Sequence, residues 1–106
     1  NKIHMTTSQL RSEIHLAAVI SNNFITHLLA ESESVLKSNG LALDILKPLI
    51  TETIDKAFKI GPGNAQTGPA IRNDVGVMEK QIAKISNPKL KEVYRLMSDL
   101  IKQNKI

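Results

Sequence analysis

A helical repeat of apolar residues without any proline extends from Thr7 or Ser8 to the Asn39-Gly40 pair, and it limits the fold of this chain more than any other feature. Threonine and serine cap helix N-termini, and Gly40 supplies the left-handed residue that commonly ends a helix. At 1.5 Å per residue, such a helix of roughly 30 residues is about 45 Å long. Its apolar positions recur at helical spacing: Leu10, Ile14, Ala17, Phe24, Leu28 and Val35.

This helix is too long for the rest of a small chain to cover. A chain of 106 residues with 42% apolar content is long enough for one domain with a single core. We expect that domain to span residues 1–106. Part of the long helix should therefore be buried against a molecule outside the chain, and we predict a homodimer formed through it. Because the chain begins with Asn1 rather than methionine, we also expect it to be a fragment of a longer protein.

The remaining sequence predicts further helices and no strand. A second helical region runs from Ala42 to Ile60 with a kink or a new start at Pro48, and a loop occupies residues 61–69. Asp74 should cap a third helix and Asn87-Pro88 should start the last. The fold class is all-α, with a long first helix, a kinked second helix and two shorter closing helices. Their expected inner positions are Leu46, Leu49, Ile50, Ile54, Ala57 and Phe58, then Val75, Met78, Ile82 and Ile85, then Leu90, Val93, Tyr94, Met97, Leu100 and Ile101.

Composition argues against several classes of function. The net charge of +4 comes from lysines scattered over all the helices, and the chain has three aromatic residues, so it lacks the basic stripe and stacking aromatics of nucleic-acid binders. There is no cysteine, and His4 and His27 stand at no metal-ligand spacing from His15. No apolar run approaches the roughly 20 residues that span a bilayer. We therefore expect no metal, no nucleic acid and no membrane, and a cytoplasmic location.

Polar residues interrupt the long helix in the stretch from His15 to Phe24. In an uninterrupted α-helix, Asn22 and Thr26 continue the face of His15, whereas Asn23 is rotated from it by about 80°. Such a stripe lines a ligand cleft in some proteins and is satisfied by hydrogen bonds inside the core in others. Both interpretations stay open on spacing alone.

A second polar segment runs from Thr67 to Asp74. Gly68-Pro69 makes a turn and Asp74 caps a helix, which are structural roles. Arg72 fits either of two roles, a contact to an anion or carboxylate and a surface ion pair. The chain contains no glycine-rich phosphate loop and no Ser/His/Asp set, so it holds no complete active site.

Together, the run from His15 to Phe24 and the Thr67-Gly68-Pro69-x-x-Arg72-x-Asp74 segment resemble a bacterial family. This is the C-terminal helical domain of unknown function (DUF2520) that follows a Rossmann domain in NADP-dependent oxidoreductases. The group is similar to the 6-phosphogluconate and β-hydroxyacid dehydrogenases. The resemblance covers about residues 8 to 103, and the order of the helices agrees with it. One departure concerns Val19, which stands four residues before Asn23 where β-hydroxyacid dehydrogenases carry a catalytic lysine.

The resemblance implies a domain that dimerises through its long helix and forms a wall of the cleft that faces the nicotinamide. It implies an upstream Rossmann domain, NADP as the cofactor of the full-length protein and a small-molecule substrate, with no cofactor site in this chain. His15 is the candidate acid or base. If the two polar segments form one site, we expect the Thr67-Gly68-Pro69 loop to pack near the stretch from His15 to Asn23, of its own chain or of the partner across the dimer. His15 should then be buried and Arg72 partly exposed. The alternative is a free-standing helical interaction module. The substrate-binding residues implied are His15, Asn23, Thr67, Gly68, Pro69 and Arg72.

Overall fold

The structure, a computed structural model, describes residues 6–103. Every regular element in this range is helical, so the predicted all-α class is confirmed. The chain divides into two compact units, Asn1–Pro48 and Leu49–Ile106. The first unit holds the long helix. The second holds three further helices together with most of the helix Lys47–Ile60, which begins just before the boundary.

The long helix consists of α1 (Thr7–Ala18), a π-helical turn (Val19–Asn23) and α2 (Phe24–Lys37), which follow one another without a break. It begins one residue earlier than predicted, because Thr6 rather than Thr7 or Ser8 is its cap. The Thr6 hydroxyl accepts from Gln9 N–H at 3.1 Å, and Gln9 Oε1 accepts from Thr6 N–H at 2.7 Å. In this reciprocal pair, the cap residue bonds with a glutamate or glutamine three residues later. Thr6 is the residue that stands three positions before Gln9.

The predicted end of the long helix is confirmed. Gly40 has φ of +71°, which side chains with a Cβ rarely adopt. Gly40 N–H donates to the Lys37 carbonyl at 3.1 Å, and Leu41 N–H donates to the Leu36 carbonyl at 2.9 Å. These two bonds satisfy carbonyls that the last helical turn would otherwise leave unpaired.

The π-helical turn was not predicted, and it changes which apolar residues share a face. Phe24 N–H donates to the Val19 carbonyl, five residues back instead of four, so the turn holds one residue more than an α-turn. Everything after Asn23 is therefore shifted by one residue relative to α1.

The predicted apolar stripe is consequently wrong in α2, where each inner residue lies one position later. The half-buried residues are Ile25, Leu29 and Leu36, whereas Phe24, Leu28 and Val35 are exposed. Counting the extra residue, Leu29 and Leu36 fall within about 20° of the Leu10 direction. The α2 helix contacts the short 3₁₀ helix Leu43–Leu46 that follows it.

The proline-bearing region starts anew, which was one of its two predicted forms. Ala42 precedes the 3₁₀ helix Leu43–Leu46, and α3 (Lys47–Ile60) begins one residue before Pro48. Proline is tolerated there because the first turn of a helix uses no N–H donors internally. Of the six predicted inner positions of this region, Leu46, Ile50 and Ala57 are half-buried, whereas Leu49, Ile54 and Phe58 are exposed.

In the second unit, a short helix α4 (Pro62–Ala65) occupies part of the predicted loop. The cap predictions for the last two helices are confirmed. Asp74 Oδ1 accepts from Val77 N–H at 3.3 Å at the start of α5 (Val75–Lys84). Asn87 Oδ1 accepts from Lys89 N–H at 2.9 Å at the start of α6 (Pro88–Gln103).

Burial in this unit is greatest around α5. Ala70 is 5% exposed and Met78 is 6% exposed, while Ile82 and Ile85 are half-buried and Val75 is exposed. On α6 the predicted inner stripe splits into two sides. Its covered side contains Leu90, Tyr94 and Ile101, and its exposed side contains Val93, Met97 and Leu100.

Candidate functional site

His15 lies on α1, one turn before the π-helical turn. Its backbone carbonyl accepts from Val19 N–H, the first donor of that turn. The side chain is exposed, contrary to the expected burial, and no described residue hydrogen-bonds its ring. The physical reason is that every residue of α1 is exposed in the part of the chain that the structure describes, so the imidazole of His15 is open to a ligand.

Asn23 is the last residue of the π-helical turn, and its position differs from the sequence prediction. Eight residues separate it from His15, which would rotate it by about 80° in an α-helix. Because the turn absorbs one residue, Asn23 falls within about 20° of the His15 direction, two turns further along the axis. His15 and Asn23 therefore share a face, and Asn22, predicted to lie on it, is carried around the wide turn.

Hydroxyl groups around the turn bond to the helix backbone. Ser21 Oγ donates to the Ala17 carbonyl at 2.7 Å, and Thr26 Oγ1 donates to the Asn22 carbonyl at 2.9 Å. The side-chain amides of Asn22 and Asn23 are exposed and have no hydrogen-bond partner among residues 6–103. The polar groups of the turn are thus divided between hydroxyls that support the backbone and amides that face outwards.

His27 extends the same face and was missed as a candidate. It lies one turn beyond Asn23, and its Nε2 is 2.9 Å from Glu31 Oε2. That pair sits at the i, i+4 spacing typical of helix surfaces. The signal that could have identified His27 was its spacing from Asn23, which does not depend on the π-helical turn.

The loop before α5 is shaped by its turn residues. Gly68 has φ of +101°, a conformation that strongly favours glycine, and Pro69 follows it. The Pro69 carbonyl accepts from Asp74 N–H at 2.8 Å, and the Ala70 carbonyl accepts from Asn73 N–H at 3.0 Å. Thr67 is exposed at the start of this loop, while Ala70 anchors it in the interior.

Arg72 projects from the closed turn that these bonds form. It is exposed, and within residues 6–103 no carboxylate lies at ion-pairing distance from it. The next residue, Asn73, has φ of +54°, which asparagine tolerates better than most residues. Of the two roles open from sequence, a surface ion pair is not formed in the described chain, and the guanidinium is available to an anion.

The helix candidates and the loop candidates belong to different units. His15 and Asn23 lie in Asn1–Pro48, and the residues from Thr67 to Arg72 lie in Leu49–Ile106. A shared site formed by both groups stays a prediction.

A cleft between α5 and α6 was not predicted. Its volume is about 220 Å³, and the Tyr94 hydroxyl beside it donates to Gln81 Oε1. Burial raises the pKa of the Tyr94 hydroxyl above its usual 10.0. The residues that line the cleft are Val75, Met78, Glu79, Ile82, Tyr94, Arg95, Ser98, Asp99 and Lys102. The lining has two acidic and two basic side chains, so it favours neither anionic nor cationic ligands.

Two further observations concern the part of the chain that the structure describes. No helix there is long and apolar enough to cross a membrane. No group of three or more histidine or acidic side chains in that range could hold a metal ion.

Comparison with known proteins places these features in context. A family model described as a domain of unknown function (DUF2520) matches residues 1–101. A crystal structure of a "putative NADP oxidoreductase" from Bacteroides fragilis matches with a TM-score of 0.88 and 36% sequence identity. The match covers 97% of this chain and 40% of that one, so this chain spans less than half the length of that protein. No protein with a curated description matches.

Proposed function

Since this chain belongs to the DUF2520 family, as its motifs indicated, we propose that it is the helical dimerisation and substrate-cleft domain of an NAD(P)-dependent oxidoreductase. The observation that carries the proposal is the match to a protein described as an NADP oxidoreductase over 97% of this chain but only 40% of that protein. The remaining length suffices for a cofactor domain, and we propose a Rossmann domain upstream. Cytoplasmic location remains part of the proposal.

The chain's own residues do not fit a dinucleotide. Such sites are built where a strand turns through a glycine-rich loop into a helix, and residues 6–103 contain no strand. In the proposed enzyme the upstream domain therefore holds NADP, which supplies hydride transfer when bound. The helical domain binds and orients the substrate and is not catalytic alone.

The exposed polar groups suit this substrate role. The guanidinium of Arg72 offers a two-pronged donor for a carboxylate or phosphate. The exposed ring of His15 is our candidate acid or base, and the Asn23 amide offers a donor and an acceptor. Thr67, Gly68 and Pro69 form the turn that holds Arg72. The lysine-based mechanism of β-hydroxyacid dehydrogenases does not apply, because Val19 stands at the lysine position.

Dimerisation is supported by the apolar surface of the long helix. Counting the extra residue of the π-helical turn, Leu16, Phe24, Leu28 and Val35 fall within about 20° of one direction. All four are exposed, with 55% of Leu16 and 57% of Phe24 accessible. A second copy that packs its own long helix against this stripe would remove it from water. A free-standing module that binds another helical protein is the alternative, and a monomeric chain in solution would favour it.

Binding of NADPH tests the proposal that the upstream domain, and not this chain, holds the cofactor. The protein that includes the upstream segment and the chain of residues 1–106 are each titrated with NADPH, whose fluorescence reports binding. We expect saturable binding by the longer protein and none by the isolated chain. The same longer protein with Arg72→Ala should bind NADPH unchanged. Saturation by the isolated chain, or failure of the longer protein to bind, would overturn the proposal.

A further inference from the structure

The π-helical turn holds one residue more than helical winding requires, and this surplus has a consequence on two opposite sides of the long helix. On one side it brings Leu10, which is 48% exposed on α1, into line with the half-buried Leu29 and Leu36 of α2. On the outer side it brings His15 into line with Asn23 and with His27, each within about 20°. If the same residues were wound as an ordinary α-helix, each of these residues beyond Val19 would be turned by about 100° relative to α1.

We infer that the Val19–Asn23 turn is a positioning element that aligns Asn23 and His27 with His15 on one polar face of the long helix. The significance of that face for a substrate rests on the function proposed above. The face presents an imidazole, an amide and a second imidazole in succession. These are groups that donate to carbonyl, carboxylate or phosphate oxygens. Because Glu31 contacts only Nε2 of His27, the other ring nitrogen makes His27 a further candidate for substrate contact.

The contacts of α2 do not depend on the turn. Ile25, Leu29 and Leu36 are the half-buried apolar residues of α2, and α2 contacts the 3₁₀ helix Leu43–Leu46. Both elements follow the turn, so winding the same residues as an ordinary α-helix would rotate them together relative to α1 and would keep their contact. The number of residues in the turn, rather than their identity, therefore sets the rotation of α2.

Single-residue deletions test this inference directly. Deleting Asn22 removes the surplus residue, so the segment can wind as an ordinary α-helix while α1 and α2 keep their relative rotation. Deleting Ala30, an exposed residue in the regular part of α2, removes a residue that is not surplus and turns Leu36 away from Ile25 and Leu29. Thermal unfolding followed by circular dichroism is measured for both.

We expect the Tm to stay within about 3 °C of the parent chain after deletion of Asn22 and to fall by about 8 °C or more after deletion of Ala30. Complete loss of cooperative unfolding after deletion of Ala30 would agree with this. Equal losses in the two variants, or a larger loss for Asn22, would overturn the inference.

A spectroscopic measurement separates position from stability. In the parent chain, a nuclear Overhauser effect should connect Val19 Hα with the Phe24 amide proton, which the i to i+5 bond brings together. Asn22→Ala should retain that signal, because the residue count is unchanged, whereas deletion of Asn22 should abolish it. Its absence from the parent chain would overturn the inference. Neither experiment uses NADPH or a substrate, so failure of the proposed function and failure of this inference are distinguishable.

Discussion

The long helix and the α5–α6 pair both carry apolar residues at helical spacing. The extent to which those residues are buried differs greatly between the two regions. Met78 of α5 is 6% exposed, whereas Ile14 and Phe24 of the long helix are 68% and 57% exposed. The α5 helix lies beside α6, and the Tyr94 hydroxyl bonds across to Gln81. In the first unit α2 contacts the short 3₁₀ helix Leu43–Leu46, whereas every residue of α1 is exposed. Periodicity thus indicates which side is apolar, while the available neighbours decide how much is buried.

The largest effect expected from this contrast is at Met78. Met78→Ala should lower the free energy of unfolding by about 3 kcal/mol, because it removes an enclosed side chain and leaves a cavity. Met97→Ala is the matched control, since Met97 is 44% exposed on α6 and should cost less than about 1 kcal/mol. Urea unfolding of both variants measures the difference. Equal losses would mean that the enclosure of α5 does not distinguish the two regions.

The next largest effect should appear on the long helix and only in association. Phe24→Lys should raise the dimer dissociation constant by at least about 30-fold, corresponding to roughly 2 kcal/mol for an apolar anchor in an interface. The chain offers a control of the same chemistry in Phe58, which is 89% exposed on α3. Light scattering over a concentration series follows both. If Phe58→Lys dissociates the dimer and Phe24→Lys does not, the interface lies elsewhere, and a parent chain that is monomeric at tens of micromolar would remove the dimer altogether.

The smallest effect concerns the ionisation of Tyr94. Because burial raises the pKa of this hydroxyl above 10.0, the folded chain holds the proton more tightly than the unfolded chain does. The resulting stabilisation is present below pH 10 and is lost as the pH rises through the folded-state pKa. Unfolding free energies measured between pH 9 and 11 should therefore decline more steeply for the parent chain than for Tyr94→Phe. Identical slopes would show that burial does not raise the pKa of Tyr94 in solution.

Local signals predicted much of the fold, and they did so at the helix ends. Asp74, Asn87 and Gly40 act where they were expected to, because capping depends on residues within one turn of each other. The start of the long helix was misplaced by one residue, since the pairing of Thr6 with Gln9 was overlooked. The π-helical turn could not be predicted in this way, because no residue type marks an i to i+5 bond and the apolar pattern continues across it at ordinary spacing.

In the candidate site, too, local sequence signals predicted some features and not others. The motifs identified His15, Asn23 and Arg72 as residues of interest, and the turn chemistry of Gly68-Pro69 was visible in the sequence. The shared face of His15 and Asn23, the addition of His27 and the exposure of the His15 ring were not, because each depends on winding or on the neighbours that surround a side chain.

The sequence by itself determined the helical class, most helix ends and the identity of the polar residues that interrupt them, because hydrogen bonds within a turn depend on adjacent residues. Only the tertiary structure decided which part of the long helix is covered. Ile25, Leu29 and Leu36 of α2 are half-buried, whereas Leu10 and Ile14 of α1 are exposed. Burial depends on the neighbours that fold against a helix, here Leu43–Leu46 against α2, and the spacing of apolar residues within the helix does not specify those neighbours.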